Sequence, residues 1–168
     1  MNFLDQLTNK IVITEKAVET ISSWRKANRK VVFTNGCFDL LHLGHIEYLA
    51  KAASLGDYLV IGVNTDASVR RLKGKSRPVN DEKSRSLVLA SMGFVSLIVL
   101  FSEDTPYELI KTLQPDVLIK GADYQPEQIV GYDIVKARGG EVLTIEFIPG
   151  YSSSAIEKRI LEAHTSQL

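Results

Sequence analysis

Apolar positions in this chain fall in short dense runs that alternate with amphipathic stretches. Residues 31–34, 58–63, 97–101, 116–120 and 141–147 are rich in consecutive Val, Ile and Leu. Runs of this kind, rather than strict alternation, predict strands covered on both faces. Between them the spacing becomes helical. Thr14 reads as an N-cap before a helix over 15–27, with Ala17, Val18, Ile21 and Trp24 on one face. A helix over about 43–55 is expected to bury Ile46, Leu49, Ala50 and Ala53, and Gly56 is its natural stop. Residues 81–92 read as a helix with Leu87, Val88 and Leu89 turned inward. Further helices are expected from Thr105 or Pro106 to just before Gln114, over 131–138, and after Ser152. A short helical piece through Val69 leads into a basic loop over 70–77, and residues 1–13 read as a mixed lead-in.

Strands alternating with helices over the whole length predict a parallel, doubly wound α/β sheet in a single domain. Residues 1–29 are expected to form a helical lead-in packed on a domain spanning 30–168. The totals agree. At 168 residues, 45% of them hydrophobic and 24% charged, the chain suits one soluble domain with one core. Its 20 basic and 20 acidic residues cancel, which argues against a nonspecific nucleic-acid partner. A lone cysteine, Cys37, excludes an internal disulfide and fits a reducing compartment. No basic-then-apolar leader opens the chain, and no apolar run approaches the roughly 20 residues of a bilayer span. A cytoplasmic protein with no membrane partner is expected.

Chemistry concentrates where strands end. After the run at 31–34 come Asn35, Gly36, Cys37, Phe38 and Asp39, and then His42, Gly44 and His45 at a helix start. Histidines three apart on a helix share a side. Gly44 lets a ligand approach the backbone, and the amides of a helix N-terminus favour phosphate. Imidazoles placed there can donate to oxygens that gain charge during phosphoryl or nucleotidyl transfer. A cap or core role for each histidine is the plainer alternative. Cys37, His42 and His45 are also zinc ligand types, but no second cluster accompanies them, so no metal site is expected.

Other loops carry compatible chemistry. Arg70, Arg71, Lys73, Lys75 and Arg77 crowd a glycine-containing stretch that could close on a triphosphate, or could simply be solvated. Lys120, Gly121, Asp123 and Tyr124 follow a strand, at the sheet edge where α/β folds bind ligands. Asp123 is equally readable as a turn residue. Asn64 and Asp66 follow another strand and suit a polyhydroxylated substrate or an N-cap. Ser152, Ser153 and Ser154 precede the last helix as phosphate ligands or a plain cap, and Arg159 could reach back toward them. Several phosphate-compatible loops at strand ends together favour a nucleotide.

The stretch from Gly36 to His45 resembles the H-x-G-H motif of the cytidylyltransferase-like nucleotidyltransferase superfamily. The likeness continues through Arg71-Leu72-Lys73-Gly74, Arg77-Pro78, residues 120–124 and the serine cluster, covering about 30–160. Within that superfamily the chain is most similar to adenylyltransferase domains of ADP-heptose synthases. The resemblance implies a Rossmann-like fold and a reaction. ATP, with Mg²⁺, and D-glycero-β-D-manno-heptose 1-phosphate would give ADP-heptose and pyrophosphate in a lipopolysaccharide or S-layer pathway. It implies catalytic roles for His42, His45 and Lys73. It places Asn35, Gly36, Cys37, Phe38, Gly44, Arg77, Lys120, Gly121, Asp123, Tyr124 and Ser152 to Ser154 around the nucleotide. Asp39, Asn64 and Asp66 would contact the sugar, and a homodimer is an expected assembly. The family's Ser-Thr-Thr is Ser-Ser-Ser here, and a separate kinase would supply the sugar 1-phosphate. CTP-dependent transfer to glycerol 3-phosphate or a similar small phosphorylated alcohol, and a noncatalytic nucleotide sensor, are the alternatives.

Overall fold

The computed structural model describes residues 2–122 and 125–165. Asn2 accepts from the Asp5 amide while the Asp5 carboxylate accepts from the Asn2 amide, a capping box that starts α1 (Phe3–Thr8). There follow β1 (Ile11–Val12), α2 (Thr14–Lys26), β2 (Val31–Gly36), α3 (Leu43–Ala53) and β3 (Tyr58–Asn64). Thr65 caps α4 (Asp66–Lys73) and Asp81 caps α5 (Glu82–Ala90), each through a side-chain oxygen that accepts from a first-turn amide. Then come β4 (Val95–Phe101), α6 (Tyr107–Leu113), β5 (Val117–Gly121), a 3₁₀ turn at Pro126–Gln128, α7 (Tyr132–Ala137), β6 (Glu141–Ile145) and α8 (Ser153–Thr165).

All strand pairs are parallel, in the order β1-β4-β3-β2-β5-β6. Each central strand sends alternate side chains into two cores. Val31, Phe33 and Val60 join Ala17, Ile21, Ile110 and Val135 from α2, α6 and α7. On the opposite face, Val32, Leu59 and Ile61 join Leu49, Ala52 and Leu89 from α3 and α5. This is the doubly wound Rossmann-like arrangement the alternation predicts.

The differences from that expectation are local. Residues 11 and 12 lie in what reads as a lead-in, yet they form an edge strand with Ile11 opposite Ile98 and Val12 opposite Val99. The Lys10 ammonium reinforces the edge by donating to the Ala90 and Met92 carbonyls. The basic stretch is half helix, because α4 continues through Lys73 and turns out at Gly74, where φ is +94°. α3 is rotated from the expected face. It buries Tyr48, Leu49 and Ala52 and leaves Ile46 exposed, because the Tyr48 hydroxyl bonds Thr34 and the Ile119 carbonyl inside the sheet. α5 likewise turns Arg85, Ser86 and Leu89 inward and Val88 outward.

Gly62 in β3 lies where a Cβ would fall 2.8 Å from the Phe33 ring and 3.1 Å from Leu109. Gly62→Ala is therefore expected to destabilise the domain by about 1–3 kcal/mol through overpacking. Gly93→Ala, which meets nothing within 4 Å, should stay within about 0.5 kcal/mol of the parent. Urea unfolding of the two variants checks the contrast.

Candidate active site

β2 ends at Gly36, and the chain turns through Phe38, whose φ of +48° is rare for a side chain of that size. His42 is the N-cap of α3, yet its side chain makes no capping bond. Its ring instead lies against His45, centroids 3.9 Å apart at 31°. Phe38 meets His45 edge-on at 5.5 Å. Gly44 permits this packing, since a Cβ there would come 3.1 Å from the His42 ring and 3.4 Å from Tyr151. Nδ1 of each histidine is buried and has no hydrogen-bond partner among the described residues. Burial, then His42 and Lys73, pushes His45 down to about 4. Burial also lowers His42. Near neutrality both rings are uncharged, with a polar atom held ready for a ligand.

Around this pair the loops are fastened by two arginines. Asp39 is buried and accepts from the Val79 and Asn80 amides and from Arg77. Burial, its largest single influence, raises the carboxyl; the Asn80 and Val79 amides and Arg77 outweigh it, so the group titrates below the usual range. Arg77 also pairs with Glu157 on α8. Arg85 has a fully buried side chain. It donates to the carbonyls of Cys37, Asn64 and Asn80 and to the Asp66 carboxylate. Sequence reasoning misses Arg85, because Glu82-Lys83-Ser84-Arg85 reads as a solvated helix face.

A cavity of about 180 Å³ brings together Asn35, Gly36, Cys37, Phe38, Asp39, His45, Lys73, Lys120, Gly121 and Ser153. Tyr48 and Phe147 also line it, and their rings lie 5.4 Å apart. His42 and Ser152 face a neighbouring cavity of about 170 Å³ with Arg159 and Tyr151. Asn64 borders a third, of about 420 Å³, together with Asn35, Gly36, Cys37, Lys73 and Lys120. Asp66, Arg77 and Ser154 lie on none of the three. Ser152 caps α8 by accepting from the Ala155 amide, and Ser153 donates to the Leu40 carbonyl. Asp123 and Tyr124 lie outside the described residues. Among the described residues no group of His, Cys, Asp or Glu is gathered to hold a metal ion, and no helix is long and apolar enough to cross a membrane.

A parallel sheet with two imidazoles at a strand-end loop, flanked by lysines, defines a nucleotidyltransferase domain. A family model described as cytidylyltransferase-like matches residues 33–159, and the chain belongs to that family. It is 54% identical over 158 residues to the bifunctional protein HldE of Campylobacter curvus, and 50% identical over 156 residues to that of Syntrophotalea carbinolica. The matches cover 94% and 93% of this chain, which spans about a third (32%) of each relative. Among solved structures, a lipopolysaccharide core biosynthesis protein from Thermoplasma volcanium is 30% identical, with a TM-score of 0.57. That match covers 71% of this chain and 97% of the other. A pantoate-beta-alanine ligase from Francisella tularensis, complexed with an ATP ligand and beta-alanine, shares the fold at 17% identity. Its TM-score is 0.60, over 88% of this chain and 76% of the other.

Removing a buried guanidinium strands its partners. Arg85→Met should therefore cost about 3–5 kcal/mol in a denaturant titration, with Arg85→Lys recovering only part, since one ammonium cannot span the same acceptors. His45 gives a second expectation. The unfolded chain takes up a proton near pH 6.5 that the folded site refuses until about 4. Stability is therefore full above pH 6.5 and declines as the pH falls through that window. His45→Gln should flatten the decline in unfolding curves taken from pH 7 to 4.

Proposed function

We propose that this domain transfers the adenylyl group of ATP to D-glycero-β-D-manno-heptose 1-phosphate, forming ADP-heptose and pyrophosphate. The observation that carries the reading is the His42–His45 pair, whose buried Nδ1 atoms lack partners among the described residues beside a loop that shares its cavity with Lys73 and Lys120. Identities of 54% and 50% to proteins named bifunctional HldE, over about a third of their length, support it. The structural likeness to a lipopolysaccharide core biosynthesis protein fits the same product class.

A phosphate oxygen of the sugar 1-phosphate attacks the α-phosphorus of ATP in line. The new P–O bond forms as the bond to the β-phosphate bridging oxygen breaks, and pyrophosphate leaves. The two imidazoles stabilise charge at the α-phosphate, and Lys73 meets charge on the departing phosphates. No side chain is required to form a covalent bond to the nucleotide. Mg²⁺ bound to the ATP phosphates would supply positive charge as pyrophosphate departs. Arg77 meets phosphate in this reading only after exchanging its Glu157 contact.

Pyrophosphate release measured with ATP or CTP against a panel of sugar 1-phosphates and glycerol 3-phosphate tests the reading. The expected result is turnover with ATP and the heptose phosphate. Preference for CTP, or binding of nucleotide with no release, would overturn it. In the same assay His45→Ala should lose on the order of 10²–10³ in kcat. Near-normal turnover in a folded His45→Ala protein would remove the histidine from the mechanism.

A further inference from the structure

The residues expected to hold the sugar are largely committed elsewhere. Both Asp39 oxygens accept bonds from the 77–80 loop, and the Asp66 carboxylate accepts from buried Arg85. Only Asn64 of the three borders the 420 Å³ cavity, and its amide donates to Ser68 while its oxygen receives the Cys37 thiol. The acceptor must therefore be recognised by other groups.

The geometry points to the 420 Å³ cavity as the acceptor chamber, with Asp104, Thr105 and Gln128 selecting a sugar phosphate; this rests on the transfer reaction proposed above. Its size falls within the range of about 300–1,000 Å³ typical of small-molecule sites. Its floor of Asn35, Gly36 and Cys37, with Lys73 and Lys120, is shared with the smaller cavity that contains His45. A phosphate entering from the larger side and a nucleotide in the smaller one thus meet over the same loop and the same two lysines.

The rest of the lining has the complementary chemistry. Thr105 and Gln128 are exposed, and their side chains make no hydrogen bond among the described residues. Asp104 spends one oxygen on Arg71 Nε at 2.9 Å, and its other oxygen has no partner among the described residues. Leu72, Pro106 and Val130 complete the lining with apolar surface. Lysine ammoniums, hydroxyl-matching groups and apolar surface in one cavity match a polyol phosphate, whose C–H face needs no polar partner. A short phosphorylated alcohol would engage the lysines and leave the hydroxyl-matching groups unused.

Steady-state kinetics of Thr105→Val and Gln128→Leu test the assignment, since both are exposed and neither holds the fold together. KM for the heptose 1-phosphate should rise about three- to tenfold in each, as expected for one lost hydrogen bond made equally in ground and transition states. KM for ATP and kcat should stay near the parent's. An acceptor KM unchanged in both variants, beside an active parent, overturns the chamber and leaves the transfer reaction standing. An inactive parent overturns the transfer reaction, and the chamber is then judged by NMR titration with mannose 1-phosphate. Amide shifts at Asn64, Thr105 and Gln128 support it, and their absence sinks it.

Discussion

Everything at the functional edge of this sheet hangs on one buried cation. The carbonyls of Cys37, just past β2, and of Asn64, at the end of β3, both accept from Arg85, whose planar fork also donates to the Asn80 carbonyl and to the Asp66 carboxylate. A buried charge with one carboxylate partner is costly to desolvate. Here the remaining donors are satisfied by backbone dipoles, and the result is that the loop after β2, the end of β3 and the start of the 77–80 segment move as one. Asp39 repeats the device with opposite charge, accepting from amides and from Arg77.

The strand order explains why the fastening is needed at this place. From β2 the chain winds outward through β3 to β4 on one side, then crosses back to lay β5 and β6 on the other. The reversal opens a crevice between β2 and β5, the usual ligand position in such folds. Asn35 to Cys37 enter it from one strand and Lys120 with Gly121 from the other. Loops that border an opening cannot pack against each other, so they must be held from behind. Arg85 and Asp39 do so, and Tyr48 supports the crevice from α3 through Thr34 and the Ile119 carbonyl.

The legible parts of this architecture were those encoded within a few residues. Dense Val/Ile runs marked the central strands, and the histidine spacing marked a shared face at a helix start. What escaped depended on distant partners. Ile11 and Val12 are too few to announce a strand and become one only because Ile98 and Val99 lie beside them. Arg85 sits among Glu82, Lys83 and Ser84, a context that reads as solvent-facing; its burial comes from carbonyls 21 and 48 residues earlier in the chain. The α3 face was misjudged for the same reason, since apolar spacing favoured Ile46 whereas the hydroxyl of Tyr48 has acceptors inside the sheet. A polar side chain with buried partners outcompeted an apolar one without them.

The resting electrostatics of the histidine pair follow from this construction. Two imidazoles with centroids 3.9 Å apart cannot both carry charge cheaply, and Lys73 adds a further positive field. The pair is therefore neutral near pH 7 when the site holds no anion, and its buried Nδ1 atoms stand without partners among the described residues. In the transfer reaction proposed above, a bound triphosphate would reverse the sign of the local field and favour protonation of the same rings. Positive charge would then build up only when the negative charge it must stabilise is present. The orphaned nitrogens are a folding cost borne in advance, offset by the close packing that Gly44 and Phe38 allow. A site built from permanently charged arginines would avoid that cost, but here Arg77 and Arg85 are already fastened to carboxylates that hold the loops. The charges of those two build the scaffold, and imidazoles and lysines line the open cavities.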